Sequence, residues 1–335
     1  MSRAPAIAVV LLSLAACAPA SAEESQGPQQ CWTPAALAGT EAELKDVLAH
    51  KSLDVAPLKQ VMLPPATPIA PALRGSIRGV ELPPDKKLIA LTFDLCEENG
   101  YVSGYDGRIV DLLRAQGIKA TFFAGGKWME THPERAQQLI ADPLFEVGSH
   151  GLRHLDLSHA NDATLGEEIT LTEAAYARAR TALASRQCLV GALPPAPPAR
   201  LTLLRFPYGR CNDKALAAAA GAGLLTVQWD LVTGDPLVSA KTIANRILTK
   251  AHPGAIVVAH ANGRGRNTAA ALAIALPKLK EEAYSFVSVS ELIHAGKPVI
   301  ATSCYQEHPG DMTRIARSTV GHGSHDLFSI FSAPN

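Results

Sequence analysis

The stretch LIALTFDLCE, residues 88–97, is an apolar run that ends at a carboxylate, Asp94. Nearly continuous apolar runs of this length are typical of strands in a parallel sheet that is buried on both faces. Six further short runs of mainly apolar residues follow, each succeeded by a helix-length segment, at residues 119–125, 144–150, 201–207, 224–230, 255–260 and 284–290. The repeated strand–helix alternation predicts an α/β protein.

Seven strand–helix units in succession imply parallel pairing through right-handed crossovers. Polar side chains recur at the C-terminal ends of several of these runs, which is where α/β barrels place their sites. The pattern therefore favours a distorted (β/α)7 barrel, incomplete in part, over an open doubly wound sheet. We assign the barrel to residues 86–300.

The two ends of the chain have a different composition. Residues 1–22 begin with a positive charge and continue as a short apolar run, which predicts a signal peptide. Two processing outcomes stay open: lipoprotein-type cleavage before Cys17, which would give a lipid anchor, and ordinary cleavage after Ala22. Residues 23–85 are expected to be an N-terminal extension with a proline-rich linker, and residues 301–335 a polar tail.

Export to the periplasm, to the outer membrane as a lipoprotein, or to the medium is therefore expected, and it permits disulfides. The six cysteines do not reveal their pairing. Our expectation is Cys96 with Cys211 and Cys31 with Cys304, and the alternative is that they are small buried apolar residues. The balance of 31 basic and 31 acidic residues, without a basic cluster, indicates no nucleic-acid partner.

Several residues near the strand ends can carry chemistry. His150 and His154 are four apart, and on a helical turn this spacing lets two imidazoles hold one divalent ion, although surface histidines share it. Arg205 would need a counter-charge if buried, and Asp94 is the natural partner. Asp235 and His260 follow the next two strands.

In this order, five segments resemble the motifs of the polysaccharide deacetylase family, carbohydrate esterases of the NodB-homology type. The resemblance covers residues 88–292. The segments are TFD (92–94), SHGLRH (149–154), RFPYG (205–209), WDLVTGD (229–235) and IVVAH (256–260).

The resemblance implies metal-dependent removal of N-acetyl groups from an envelope polysaccharide or peptidoglycan amino sugar. By this likeness Asp94 is the general base and His260 the general acid, while His150 and His154 bind a divalent ion, expected to be Zn²⁺.

Supporting roles follow from the same likeness. Arg205 would keep Asp94 ionised, and Asp235 would keep His260 charged. The backbone N–H near Tyr208 would stabilise the oxyanion. Val258 would line the acetyl pocket.

The first motif departs from the family pattern, which usually has two adjacent aspartates, the second of them a metal ligand. Leu95 stands at that second position and cannot ligate. Glu97 is the first candidate for a replacement ligand and Asp106 the next; a weak or absent metal site is the remaining alternative. Cys96 could also bind zinc, but an oxidised Cys96 is at least as good an expectation. In the fourth motif Pro236 replaces a tryptophan.

Two other functions stay open because of this departure. The barrel could hydrolyse a different carbon–nitrogen, non-peptide amide bond. It could also be a non-catalytic glycan-binding barrel with a degenerate metal site.

Overall fold

The computed structural model describes residues 28, 31–45, 47–48, 58, 61–98, 100–186, 188 and 197–311. The predicted signal peptide, including Cys17, and residues 312–335 of the predicted tail lie outside this part of the chain. Among the described residues, no helix combines the length and apolar character needed to cross a bilayer.

Twelve strands occur in the described residues. They are β1 (Val47–Leu48), β2 (Ser76–Glu81), β3 (Leu88–Leu95), β4 (Tyr101–Val102), β5 (Ala120–Ala124), β6 (Phe145–Ser149), β7 (Leu203–Leu204), β8 (Leu225–Val227), β9 (Leu231–Val232), β10 (Ile256–His260), β11 (Ser285–Phe286) and β12 (Lys297–Ala301).

Nine α-helices accompany them, with single 3₁₀ turns at Glu41–Leu44, Pro71–Leu73 and Pro207–Gly209 among the connections. The helices are α1 (Pro34–Leu37), α2 (Gly107–Ala115), α3 (Gly126–Thr131), α4 (Pro133–Ala141), α5 (Asp162–Ala184), α6 (Asp213–Gly221), α7 (Ala240–Lys250), α8 (Thr268–Glu281) and α9 (Val289–Ala295).

One ten-stranded sheet has the order β12-β2-β8-β7-β6-β5-β3-β10-β9, with β11 pairing only with β3. Each of the seven predicted runs contains one of these strands, and their pairings are parallel, as the crossovers require. The sheet curls until Gly79 of β2 bridges to Ala255, just before β10. The predicted α/β class and distorted, incomplete barrel are confirmed.

Strand β3 shows how the curled sheet sorts its side chains. Its odd-numbered residues, such as Phe93 and Leu95, pack in the larger apolar cluster together with residues of the surrounding helices. The even-numbered Ala90 packs in a second cluster inside the curl. This alternation of faces along a strand places Asp94 on the inner face at the C-terminal end of β3.

The antiparallel pair β2–β12 lies outside the predicted pattern. Residues 76–81, assigned from sequence to the linker, form β2 and pair with both β8 and β12. Residues 302–311 likewise pack on the barrel, because Arg78 of β2 donates hydrogen bonds to the carbonyl groups of Tyr305 and Gln306. The folded unit therefore begins before residue 86 and extends beyond residue 300.

The expected disulfide pairing is wrong. The bonds join Cys31 to Cys188 and Cys211 to Cys304, with Cα–Cα distances of 5.4 Å in each. Cys211 follows the 3₁₀ turn Pro207–Gly209 at the rim, where residues 302–311 pack, whereas Cys96 lies in the interior as a free, buried cysteine. Proximity in the chain to a motif does not determine which cysteines meet.

Candidate active site

The C-terminal ends of the central strands bring most of the predicted residues to one pocket, although Arg205, Glu97 and Asp106 are not among the residues that line it. Asp94 of β3 and His260 of β10 are register partners on adjacent parallel strands. His150 directly follows β6, and Arg205 directly follows β7. The pocket has a volume of about 240 Å³, and it is lined by Asp94, Cys96, His150, His154, Tyr208, Trp229, Asp235, Val258, His260, Arg264, Gln306 and others.

Asp94 and Arg205 form a buried ion pair. Oδ1 of Asp94 accepts a 2.9 Å hydrogen bond from Nη1 of Arg205. The remaining guanidinium nitrogens donate to the carbonyl groups of Val227 and Gln228, and the guanidinium lies 4.1 Å from the ring centroid of Phe123. Burial by itself raises the pKa of Asp94, but the charge and hydrogen bond of Arg205, together with the nearby His150 and His260, more than offset it, so the pKa lies below its usual value. The ion pair therefore favours the ionised form of the Asp94 carboxylate.

His150 is oriented by the main chain. Its Nδ1 lies 2.9 Å from the carbonyl oxygen of Arg205. Because a carbonyl can only accept, Nδ1 carries the hydrogen, and Nε2 keeps a free lone pair, 3.8 Å from Oδ2 of Asp94. Burial lowers the pKa of His150, which favours the neutral imidazole that a cation requires.

His154 reaches the same place by an unexpected backbone path. The segment 150–154 is a loop and not a helical turn, with positive φ values of 72° at Gly151 and 55° at His154. The imidazole centroids of His150 and His154 are 5.1 Å apart. Nδ1 of His154 is buried without a hydrogen-bond partner, and burial holds its pKa well below the usual value.

A third potential ligand stands beside these histidines. Cys96, His150 and His154 each offer a ligand atom, and these atoms lie within 4.8 Å of one another. All three side chains are buried, and each imidazole is poised as a neutral donor. The chemistry of this set fits a divalent ion such as Zn²⁺.

Glu97, the first candidate from sequence, is engaged elsewhere. Its Oε2 accepts hydrogen bonds from the backbone N–H of Ser103 and from Oγ1 of Thr131, while Lys127 lies 3.4 Å from Oε1. It is not part of the histidine group, and the prediction that it is the third ligand is contradicted by this geometry. The reason is strand alternation, since Glu97 projects away from the inner face that carries Asp94 and Cys96.

Asp106, the second candidate, is a helix cap. Its Oδ1 accepts from the backbone N–H of Arg108 at the start of α2, and both carboxylate oxygens also bind the Arg108 side chain. It too lies outside the histidine group. A capping carboxylate satisfies the free N–H groups of a helix terminus, and this role occupies Asp106 fully.

His260 and Asp235 form a second ion pair, and His260 lies on β10, the strand next to the one that carries Asp94. Nδ1 of His260 lies 2.9 Å from Oδ1 of Asp235, and Oδ2 of Asp235 accepts from the His260 backbone N–H and from Thr268. Burial lowers the pKa of His260, but the Asp235 carboxylate outweighs it, and the pKa is raised. Nε2 is therefore the ring nitrogen of His260 that is available to a molecule bound in the pocket.

Tyr208 and Val258 lie where the sequence places them, on the pocket wall. Tyr208 has φ 58° and ψ 6°, and its ring centroid lies 4.3 Å from that of His154. Gln306 donates a 2.7 Å hydrogen bond to the Tyr208 carbonyl. The turn is thus held by a residue that sequence analysis assigned to the tail.

Two charged residues near the histidines, Glu98 and Arg264, were not predicted to act there, and Arg264 also lines the pocket. Glu98, interpreted from sequence as part of an acidic turn, has its Oε1 3.7 Å from Nδ1 of His154 and 3.5 Å from Arg264. Arg264 follows β10 by four residues, and no motif marks it. Both residues add charge at the rim beside the histidines.

Comparison with known proteins identifies the family. A family model described as polysaccharide deacetylase matches residues 81–227. A peptidoglycan-N-acetylglucosamine deacetylase of Bacillus cereus is 32% identical over 219 residues, which span 64% of this chain and 91% of that protein.

Two solved structures are also similar. The Bc1960 peptidoglycan N-acetylglucosamine deacetylase superposes with a TM-score of 0.54 at 26% identity, covering 66% of this chain and 93% of that one. A CE4 family pseudoenzyme from Bacillus anthracis gives a TM-score of 0.51 at 25% identity, with 63% and 66% coverage. The motifs, the curled sheet and the extent of these matches agree, and the chain belongs to the polysaccharide deacetylase family.

Proposed function

We propose that this protein is a metal-dependent hydrolase that removes N-acetyl groups from an amino sugar of peptidoglycan or a related envelope polysaccharide. The observation that carries the proposal is the presence of two ion pairs, Asp94–Arg205 and His260–Asp235, beside one pocket that is also lined by two histidines whose pKa values are lowered by burial. The relatives named as peptidoglycan deacetylases support the same substrate class.

The chemistry requires water to attack an unreactive amide carbonyl. A divalent ion, for which His150 and His154 are proposed ligands, would polarise the carbonyl and lower the pKa of water. The Asp94 carboxylate is positioned to take the proton from the attacking water, because Arg205 keeps it ionised.

Collapse of the tetrahedral adduct needs a proton on the leaving nitrogen. His260 can deliver it from Nε2, since Nδ1 is held by Asp235 and the charge of Asp235 favours the protonated ring. The carbon–nitrogen bond then breaks, and free amine and acetate leave. We assign the oxyanion contact to the backbone N–H at the Tyr208 turn, where the positive φ shapes the pocket wall.

The two disulfides in the described residues support export, because such bonds form and persist in oxidising compartments. An exported site can reach peptidoglycan, whereas a cytoplasmic one cannot reach the assembled wall. The periplasm, or an outer-membrane location through a lipid on Cys17, is the specific location we propose.

Acetate release tests this function. Purified protein is incubated with peptidoglycan and with N-acetylglucosamine oligomers, before and after chelation and after addition of Zn²⁺. We expect release that chelation abolishes and metal restores, and that His150→Ala removes while His159→Ala, at an exposed neighbouring histidine, does not.

The outcome also separates the alternatives, which matter because a pseudoenzyme shares this fold. Binding of the oligomers without acetate release under any metal would indicate a glycan-binding barrel. Hydrolysis of other linear or cyclic amides, without release from either glycan, would indicate the different amide hydrolase.

A further inference from the structure

Cys96 occupies the position that strand alternation reserves for the inner face of the barrel. Asp94 and Cys96 are two residues apart, and side chains at this spacing project to the same side of a strand. Leu95 between them is fully buried in the cluster on the outer face. Position 95 therefore contributes to the core in this chain, and position 96 faces the two histidines.

The state of Cys96 distinguishes it from the other described cysteines. Cys31, Cys188, Cys211 and Cys304 form two disulfides, while Cys96 remains a free thiol that lines the pocket. Its side chain is only 5% exposed, and its sulfur belongs to the histidine group. Beside it, the buried Nδ1 of His154 has no hydrogen-bond partner.

We propose that Cys96 supplies the third protein ligand, together with His150 and His154, of a zinc site in which sulfur replaces the usual carboxylate. The ligand atoms lie within 4.8 Å of one another, close enough to meet at one ion. When Zn²⁺ binds, the metal–sulfur bond forms and the thiol proton leaves to solvent. The proposal deepens the proposed deacetylase site, but it can be tested without catalysis.

Charge balance supports this substitution. A thiolate carries one negative charge, as a carboxylate does, so two neutral imidazoles and Cys96 leave the net charge of the centre unchanged. Two His and one Cys or carboxylate are also ligand types that zinc accepts while keeping a position open. The exchange of oxygen for sulfur therefore preserves the electrostatics of the site.

The softness of the ligand changes instead. Thiolate favours Zn²⁺ and other soft or borderline ions, whereas Mg²⁺ and Mn²⁺ prefer oxygen. We expect this protein to select Zn²⁺ over Mn²⁺ more strongly than its own Cys96→Asp variant, which restores an oxygen ligand at the same position.

Cobalt substitution provides a direct readout. The full chain is stripped of metal with its disulfides intact, reloaded with Co²⁺ and examined by absorption spectroscopy. We expect a sulfur-to-cobalt charge-transfer band in the near ultraviolet that is absent in Cys96→Ser and Cys96→Asp. Glu97→Gln, the matched neighbour, should retain the band.

Zinc affinity gives the second measurement. We expect Cys96→Ser to weaken zinc binding by at least about 10- to 100-fold, the loss already seen when only the outer partners of metal ligands are removed. Cys96→Asp should keep an affinity within about 10-fold of wild type, which guards against a Cys96→Ser variant that fails to fold.

Stoichiometric cobalt binding without the band would overturn the proposal, as would zinc affinity lost in Glu97→Gln but kept in Cys96→Ser. Either result is compatible with acetate release and leaves the proposed function standing. Conversely, the band without acetate release from any glycan would support the sulfur ligand and count against the deacetylase.

Discussion

The two ion pairs beside the pocket differ in how far they are removed from water. In the Asp94–Arg205 pair, the side chains are 6% and 0% exposed, and each guanidinium nitrogen has an acceptor. In the His260–Asp235 pair, the histidine is 26% exposed while the carboxylate is buried. The Asp94–Arg205 pair is sealed from solvent, whereas the His260–Asp235 pair exposes its histidine.

This difference corresponds to two chemical tasks. A base that must remain ionised benefits from a fixed counter-charge in an environment of low dielectric constant. An acid that must lose and regain a proton in each cycle needs access to water. The comparison therefore predicts that changes on the Asp94 side affect activity and folding together, whereas changes on the His260 side mainly affect pH dependence.

The largest effect is expected for Asp94→Asn. This variant keeps a hydrogen-bond acceptor for Arg205 but removes the base, so kcat/KM for acetate release should fall by about 10²- to 10⁴-fold. Asp106→Asn, at the cap of α2, should retain activity per folded molecule. Near-normal turnover in Asp94→Asn would contradict the assignment of the base to the sealed pair.

Arg205→Met tests the sealed pair through stability. It leaves Asp94 buried without its partner, and we expect the free energy of unfolding to fall by about 3–5 kcal/mol in urea titrations. The double variant Asp94→Asn, Arg205→Met should recover much of this loss, because no uncompensated charge remains. If the losses in unfolding free energy of the two single variants simply add in the double variant, the two residues are not coupled.

Asp235→Asn tests the pair with the exposed member, His260–Asp235. The carboxylate raises the pKa of His260, so protonated His260 persists to higher pH, and activity should fall as pH rises through that raised value. Without Asp235 the alkaline limb of kcat/KM should move to lower pH, because the charge that raises the pKa of His260 is gone. An unchanged limb would mean that another group is the acid.

The same linkage acts on folding. The stabilisation from the His260–Asp235 pair is fully present below the ordinary histidine pKa, about 6.5. It is lost as pH rises through the higher pKa of the folded state. Unfolding free energies of wild type and Asp235→Asn should therefore converge on the alkaline side, which urea titrations at several pH values can measure.

The smallest effect is expected for Gln306→Ala. It removes the hydrogen bond to the Tyr208 carbonyl, worth about 1 kcal/mol, so kcat/KM should fall by no more than about fivefold. Gln116→Ala, which loses only an exposed contact with Lys280, is the matched control. A loss as large as that of Asp94→Asn would show that the wall and the sealed pair act as one unit.

Much of this fold follows from local sequence patterns. The apolar runs at residues 88–95 and 256–260 predict parallel strands because a doubly covered sheet needs them. The polar residues that follow them predict the pocket, since carboxyl ends of parallel strands meet. These features depend on neighbours in the chain.

Other features depend on distant residues and could not be predicted. Strand β2, SIRGVE, sits in a proline-rich region, and its partners β8 and β12, both more than 140 residues further along the chain, make it a strand. The Cys211–Cys304 disulfide depends on the packing of residues 302–311 against the barrel, which brings two residues that are far apart in the chain together. The placement of Cys96 could have been predicted, because counting alternate residues from Asp94 places Cys96 on the inner face and Glu97 off it.

The Cys211–Cys304 disulfide determines where a shortened version of this chain could end without losing support for the pocket. All the candidate catalytic and metal-binding side chains lie between residues 94 and 260, so a chain ending at residue 300 would carry the complete set of motifs. It would nevertheless lack Gln306, which donates a hydrogen bond to the Tyr208 carbonyl, and the disulfide between Cys211 and Cys304. A fragment chosen by its motifs alone would thus contain every candidate reactive group and still lack part of the pocket wall.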